Sequence, residues 1–283
     1  MYRWIIYTAC LMLLFASCQE EYQESREDVV VEGWIELGEP PVVLLTKTFS
    51  VTTKEEVDED ASVVLPWGKV TVSDGVDTVV LTGGYDERYF PPYRYTTARI
   101  EGEPGRTYYL TVEYGNRKLT AQTTIPMPDS LEALRVTPCA DADSTYQITA
   151  YYNDNPSTED YYLFLTRIVN RETRDYPSLF GAINDANLGL NNQYVVQPGV
   201  HKLTTEEKYK PYFHETDTVQ IKFAKIDETT YNIQKAYNEM VALSANPIFA
   251  SDVSMPTNIQ GGFGFWCGYA VTKYEVIIAD SVK

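Results

Sequence analysis

Short runs of alternating apolar and polar residues, cut by turn dipeptides, recur along most of this chain. Val29-Val30-Val31-Glu32-Gly33-Trp34-Ile35-Glu36 and Val42-Val43-Leu44-Leu45-Thr46-Lys47-Thr48-Phe49 flank the turn Gly38-Glu39-Pro40-Pro41. Lys69-Val70-Thr71-Val72-Ser73 and Thr78-Val79-Val80-Leu81 flank Asp74-Gly75, and Thr107–Tyr114 meets Leu119–Thr124 across Gly115-Asn116. A period of two sends successive side chains to opposite faces, and Asp-Gly or Gly-Asn between such runs marks a hairpin. Strands this short and this regularly spaced predict a β-sandwich over residues 29–126.

Ile125-Pro126-Met127-Pro128-Asp129 breaks that rhythm. Alternating prolines make a stiff extended connector that cannot pair as a central strand, so a second domain is expected over 127–283. It is strand-rich too, with Ser144–Tyr152, Asp160–Val169, Thr216–Ala224 and Phe265–Ile278 the clearest candidates. Asp175–Gly199 is rich in Gly, Asn and Pro and reads as long loops. Ile233, Ala236, Tyr237, Met240, Val241 and Ser244 follow helical spacing, predicting an amphipathic helix near 229–244. Asp227 or Thr229 caps its start and Asn246-Pro247 ends it. The expected class is mainly β: a sandwich followed by a second β-rich domain with one helix. Glu103–Val112 resembles the penultimate strand of immunoglobulin-like or carboxypeptidase-regulatory-like modules.

The start of the chain speaks to location. An apolar run from Trp4 to Phe15 follows Arg3 and ends in Ala16-Ser17-Cys18. It is too short for a hydrocarbon layer of ~30 Å at ~1.5 Å per residue, and it has the layout of a secretory signal over 1–17. The cysteine behind small residues looks like a bacterial lipobox, which makes Cys18 the lipidated first residue of the mature chain; the alternative is an ordinary signal with a chance cysteine. Residues 18–28 are polar and acidic and read as a tether. Acidic residues directly behind the acylated cysteine also resemble a surface-export signal, which implies an outer-membrane anchor facing the cell exterior.

A formal net charge of -17 repels nucleic acid and anionic lipid surfaces, so neither is expected as a partner. Cys139 and Cys267 remain after processing. An even pair in an exported chain suggests a disulfide, with two buried free thiols the alternative. There is no H-E-x-x-H, G-x-S-x-G, Walker lysine or C-x-x-C. His201 and His214 lack partners at zinc spacing, and the acidic run Glu55–Asp60 lacks the spaced oxygens of a calcium loop. No catalytic residue, metal or cofactor is therefore assigned. Gly261-Gly262-Phe263-Gly264 reads as a strand entering the core at close backbone approach, with Phe263, Phe265 and Trp266 packed on either side. The 23 tyrosines mostly suit half-buried strands. Two aromatic stretches differ because proline interrupts them. Tyr89, Phe90, Tyr93, Arg94 and Tyr95 surround Pro91-Pro92, and Tyr209, Tyr212 and Phe213 surround Pro211. Tyr and Arg on such loops are expected to form a contact surface for a protein or sugar partner.

Several segments, in order, resemble one known family. They are Val29–Ile35, Thr124-Ile125-Pro126-Met127-Pro128, Asp160-Tyr161-Tyr162-Leu163-Phe164, Ile226–Tyr231 and Asn258–Phe265. The family is a group of Bacteroidetes lipoproteins carrying a domain-of-unknown-function label. Its members are commonly encoded beside TonB-dependent outer-membrane receptors. The resemblance implies a non-enzymatic accessory or ligand-capture component of nutrient uptake, with such a receptor as partner. An adhesin or surface-assembly subunit is the first alternative and a surface polymer hydrolase the second.

Overall fold

The computed structural model describes residues 28–48, 64–140, 143–153, 157–169, 171–187, 192–199, 209–244 and 255–281. The leader, Cys18, the tether up to residue 27, the acidic run 55–60, His201 and the expected Asn246-Pro247 stop lie outside these residues.

The fold is mainly β. An eight-stranded sheet has the order β12 (Tyr176–Asn184), β11 (Tyr161–Ile168), β15 (Thr218–Ile226), β16 (Phe263–Ile277), β1 (Val29–Glu36), β2 (Val42–Lys47), β6 (Tyr93–Thr96), β5 (Thr82–Tyr85). One four-stranded sheet joins β4 (Thr78–Val80), β3 (Lys69–Ser73), β7 (Thr107–Tyr114) and β8 (Arg117–Thr124). Another holds β10 (Thr145–Tyr152) with β9 (Leu131–Pro138), β13 (Gln193–Val196) and β14 (Phe213–His214). The helix α1 spans Glu228–Ser244, and a short α2 spans Ile278–Ser281. No helix among the described residues is long and apolar enough to cross a membrane.

The 15-residue β16 organises the molecule. Phe263–Tyr269 pair in parallel with Val30–Glu36, and Ala270–Lys273 and the residues up to Ile277 pair antiparallel with Thr218–Lys225. The strand thus changes partner between Tyr269 and Ala270. Its even-numbered side chains feed two cores in turn. Trp266 and Ala270 join the core between β1, β2 and the β4-β3-β7-β8 sheet, with Ile35, Leu45, Val70, Leu110 and Leu119. Val276 joins the core between β11, β15 and the β9–β10 sheet, with Ile148, Phe164, Phe213 and Phe223. Odd-numbered Cys267, Tyr269 and Val271 face the other way, onto Leu163, Ala224, Ile226 and Ile233 of α1. This strand joins the halves on either side of Ile125-Pro126-Met127-Pro128 into one sheet.

Local chemistry explains the details. Asp74-Gly75 turns the β3–β4 hairpin: Gly75 sits at φ 89°, and Asp74 Oδ1 accepts from the Val76 and Asp77 amides. The Tyr108 hydroxyl donates to the Glu101 carbonyl at 2.9 Å and accepts from the Glu103 amide at 2.7 Å. This is the arrangement of the tyrosine corner in immunoglobulin-like sandwiches, in the segment where the sequence resembles one. Asp227, not Thr229, caps α1, accepting the Thr230 amide at 2.7 Å.

Other expectations need correction. Asp175–Gly199 contains β12 and β13 rather than only loops. β12 is the outer strand of its sheet, where Pro177 is tolerated and where the register shifts opposite Leu163–Leu165. Tyr93–Thr96 is strand β6, not loop, because Pro91-Pro92 ends the preceding turn instead of breaking the strand. Phe263 is half exposed and does not pack as expected, whereas Trp266 is fully buried and donates its Nε1–H to the Tyr108 carbonyl at 3.0 Å.

Candidate functional site

The richest constellation lies at the seam where β16 changes partner. The alternation of β1 puts Val31 and Ile35 in the first core, and Glu32, Trp34 and Glu36 on the opposite face. At the end of β1, Glu36 meets Lys222 of β15, with Nζ 2.9 and 2.8 Å from the two carboxylate oxygens. Lys222 also lies 3.0 Å from Asp175, which is 3.4 Å from Arg167 of β11. Arg167 in turn donates to Gln220. Burial alone would lower the Lys222 pKa, but Glu36 and Asp175 outweigh it and hold the amine above its ordinary value. The result is a half-buried, nearly neutral ion cluster drawn from both halves of the chain.

The 86–94 loop borders this cluster. Asp86 takes Arg88 Nε and Nη2 at 2.9 and 2.7 Å and Arg94 Nε at 2.7 Å. The bond from Arg88, reinforced by those from Arg94 and the Arg88 amide, holds the Asp86 carboxyl well below the usual range. The ring of Tyr89 lies between Trp34 and Arg94: the Trp34 centroid is 6.0 Å away and the Arg94 guanidinium carbon 5.3 Å from the ring centre. Indole, phenol and guanidinium thus form one cluster in which the Asp86 ion pair holds Arg94 in place. Phe90 and Tyr85 are exposed beside it.

The structure divides the aromatic residues that sequence singled out. Tyr89 and Arg94 belong to this surface, and Phe90 is solvent-facing at the same loop. Tyr95 belongs to the core instead. It is 2% exposed, donates to the Leu65 carbonyl at 2.7 Å, and burial pushes its phenol up to about 12. Tyr93 packs against that core with its ring edge-on to Tyr95, 5.6 Å away. Phe213 is likewise fully buried, in the second core, because it starts β14 opposite Tyr146. Tyr209 donates to the Pro198 carbonyl at 2.8 Å, and Tyr212 stands edge-on to His214 at 5.6 Å. The two proline-interrupted stretches therefore do not form one surface. Trp34, Glu36, Lys222 and Asp175 escaped notice, although the alternation of β1 already places Trp34 and Glu36 on a common face.

Cys139 and Cys267 are free thiols, correcting the expected bridge. Cys139 follows β9 and is held in its hairpin by the Thr145 carbonyl, 2.9 Å from the Cys139 amide. Cys267 is buried in the middle of β16 against α1, and burial pushes its thiol up to about 12. The two sulfurs belong to different layers. No group of three or more His, Cys, Asp or Glu with metal-holding geometry occurs among the described residues.

No curated protein matches this chain. The family model described as "Domain of unknown function (DUF4249)" matches residues 19–275, and with nearly the whole sequence covered the chain belongs to that family.

Proposed function

We propose that the protein is a lipoprotein, anchored through Cys18 to the outer membrane and facing outward, that captures or presents a ligand for a TonB-dependent receptor without transforming it. The observation that carries this reading is the Trp34–Tyr89–Arg94 surface beside the Glu36–Lys222–Asp175 cluster. Aromatic faces and a guanidinium, held in place before any ligand arrives, are the groups that dominate binding surfaces. The lipobox-like Ala16-Ser17-Cys18 and the acidic tether support the location, and the family resemblance supports the partner.

The test is recovery of the tagged protein from native outer membranes under mild detergent. A TonB-dependent receptor is expected in the eluate, with recovery reduced by a Trp34→Ala, Tyr89→Ala double variant. Recovery with no receptor, or a Cys18→Ala protein that stays in the outer membrane, overturns the reading.

A second reading, an assembly or adhesive subunit, draws on one specific observation. Among the described residues β5 pairs only with β6, and Thr82-Gly83-Gly84-Tyr85 carries neither lysine nor proline to discourage a further strand. Concentration-dependent polymers of the purified protein would favour it over capture.

A further inference from the structure

Glu32 occupies an unusual position on the seam face. Along β1 its neighbours on that face are Val30 and Trp34, and across the sheet they are Leu44 of β2 and Phe265 of β16. All four are apolar. Trp34 and Phe265 both pack against the cluster that holds Cys267, Tyr269 and Ile233. One helical turn after Ile233 stands Tyr237 of α1, whose phenol pKa is raised chiefly by burial and, beyond that, by the Glu32 charge, which lies within its electrostatic reach. Glu32, Trp34, Phe265 and Tyr237 are each half-buried, so the frame keeps an opening. Arg174, whose charge also reaches Tyr237, is engaged with Tyr176: its Nε is 3.3 Å from the hydroxyl and its guanidinium 5.5 Å from the ring centre.

Among the described residues, nothing donates to the Glu32 carboxylate. It makes no hydrogen bond or ion pair with them, and withdrawal from water raises its pKa. Taking a carboxylate from water without a partner is costly, and a glutamine in its place would avoid most of that cost. An uncompensated charge inside an aromatic frame is the arrangement that an ammonium group completes. The carboxylate supplies the counter-charge, and the ring faces supply cation–π attraction that neutral ligands do not receive.

We propose that Glu32, Trp34, Phe265 and Tyr237 form a binding site for a small ligand bearing a substituted ammonium group. The inference rests on the capture reading above and names the chemistry of the captured group. It places recognition beside the Trp34–Tyr89–Arg94 surface, so that Trp34 serves both.

The experiment is titration calorimetry of the purified full chain with choline and with 3,3-dimethyl-1-butanol, its uncharged carbon analogue. Choline is expected to bind saturably and at least ~10-fold more tightly than the alcohol, since cation–π and charge terms together exceed ~1.4 kcal/mol. Glu32→Gln should cut that preference to the part the ring faces supply while leaving the weak affinity for the alcohol unchanged. Trp34→Ala should weaken both ligands. Equal affinity for the two probes, unchanged choline binding by Glu32→Gln, or no saturable choline binding up to ~100 mM each overturns the inference. Receptor recovery from membranes is scored separately. A receptor retained by a protein that binds no choline sinks the ammonium site and leaves the capture reading standing; choline bound by a protein that recovers no receptor does the reverse.

Discussion

Lys222 Nζ sits within 2.9 Å of both carboxylate oxygens of Glu36, a residue 186 positions earlier in the chain. This pair ties the end of β1 to β15 at the point where β16 passes from one to the other. Its side chains are each 13% exposed, so it lies between a surface ion pair and a buried one.

Replacing Lys222 with Met leaves the half-buried Glu36 carboxylate without its amine and Asp175 with Arg167 alone. A loss of about 2–3 kcal/mol is expected, below the full range for breaking a buried pair because some water reaches the site. Urea unfolding measures it. The sign with pH follows from the raised amine pKa. The contribution is complete below the ordinary lysine value and is lost only as pH climbs through the higher folded one. Wild type and variant should therefore differ by a constant amount across neutral pH and converge only in strong alkali.

Glu32 behaves in the opposite sense. Its pKa is raised by burial, so the ionised form strains the fold at neutral pH, and that strain disappears as pH falls through the folded value. Glu32→Gln is expected to melt higher than wild type at pH 7. The two should melt together near pH 4. A variant that melts lower at pH 7 would show that the carboxylate has a stabilising partner.

The thiols give a chemical test. Under native, non-reducing conditions iodoacetamide should label Cys139 and spare Cys267, which is buried and disfavoured as thiolate. Unfolding without reductant should add a label at Cys267. Intact mass of the alkylated mature protein reads both steps, and failure to label either residue after unfolding would mean a bridge.

Trp266→Ala should cost about 3–5 kcal/mol, since it opens a large cavity in the first core and removes the indole bond to the Tyr108 carbonyl. Gly264→Ala should be comparably damaging for a different reason. Gly264 lies at φ 103°, and an added Cβ would come within 1.9 Å of the Val31 carbonyl oxygen. Circular dichroism melts of both variants check this.

Asp86→Asn isolates the loop. Arg88 and Arg94 lose their common anchor, at about 1 kcal/mol of global stability given the exposure of Arg88. Faster proteolysis between Asp86 and Arg94 is expected, with little change in melting temperature.

Where neighbours in sequence are neighbours in space, the fold could be read in advance. The β7–β8 hairpin, the Asp74-Gly75 turn and the Asp227-led helix are all local, and period and turn chemistry identify them. β12 and β6 were hidden because proline marks them as loop, while their places at or near the sheet's ends make proline harmless. The site was half visible. Tyr89 and Arg94 carry a local signal in an aromatic stretch around two prolines. Lys222, Asp175 and Phe265 acquire meaning only from a parallel pairing between the two ends of the chain, which no window of sequence contains. Tyr95 and Phe213 show the converse: an aromatic beside proline looks like surface chemistry until the strand after it turns inward.

Because Val30 must meet Phe263, β1 cannot complete its sheet until β16 exists. A growing chain cannot close the first core on its own, however well its hairpins form, since Trp266 is missing from it. Closure of this core is thus deferred until β16 has been made, a slow, non-local step that leaves the earlier hairpins waiting for it.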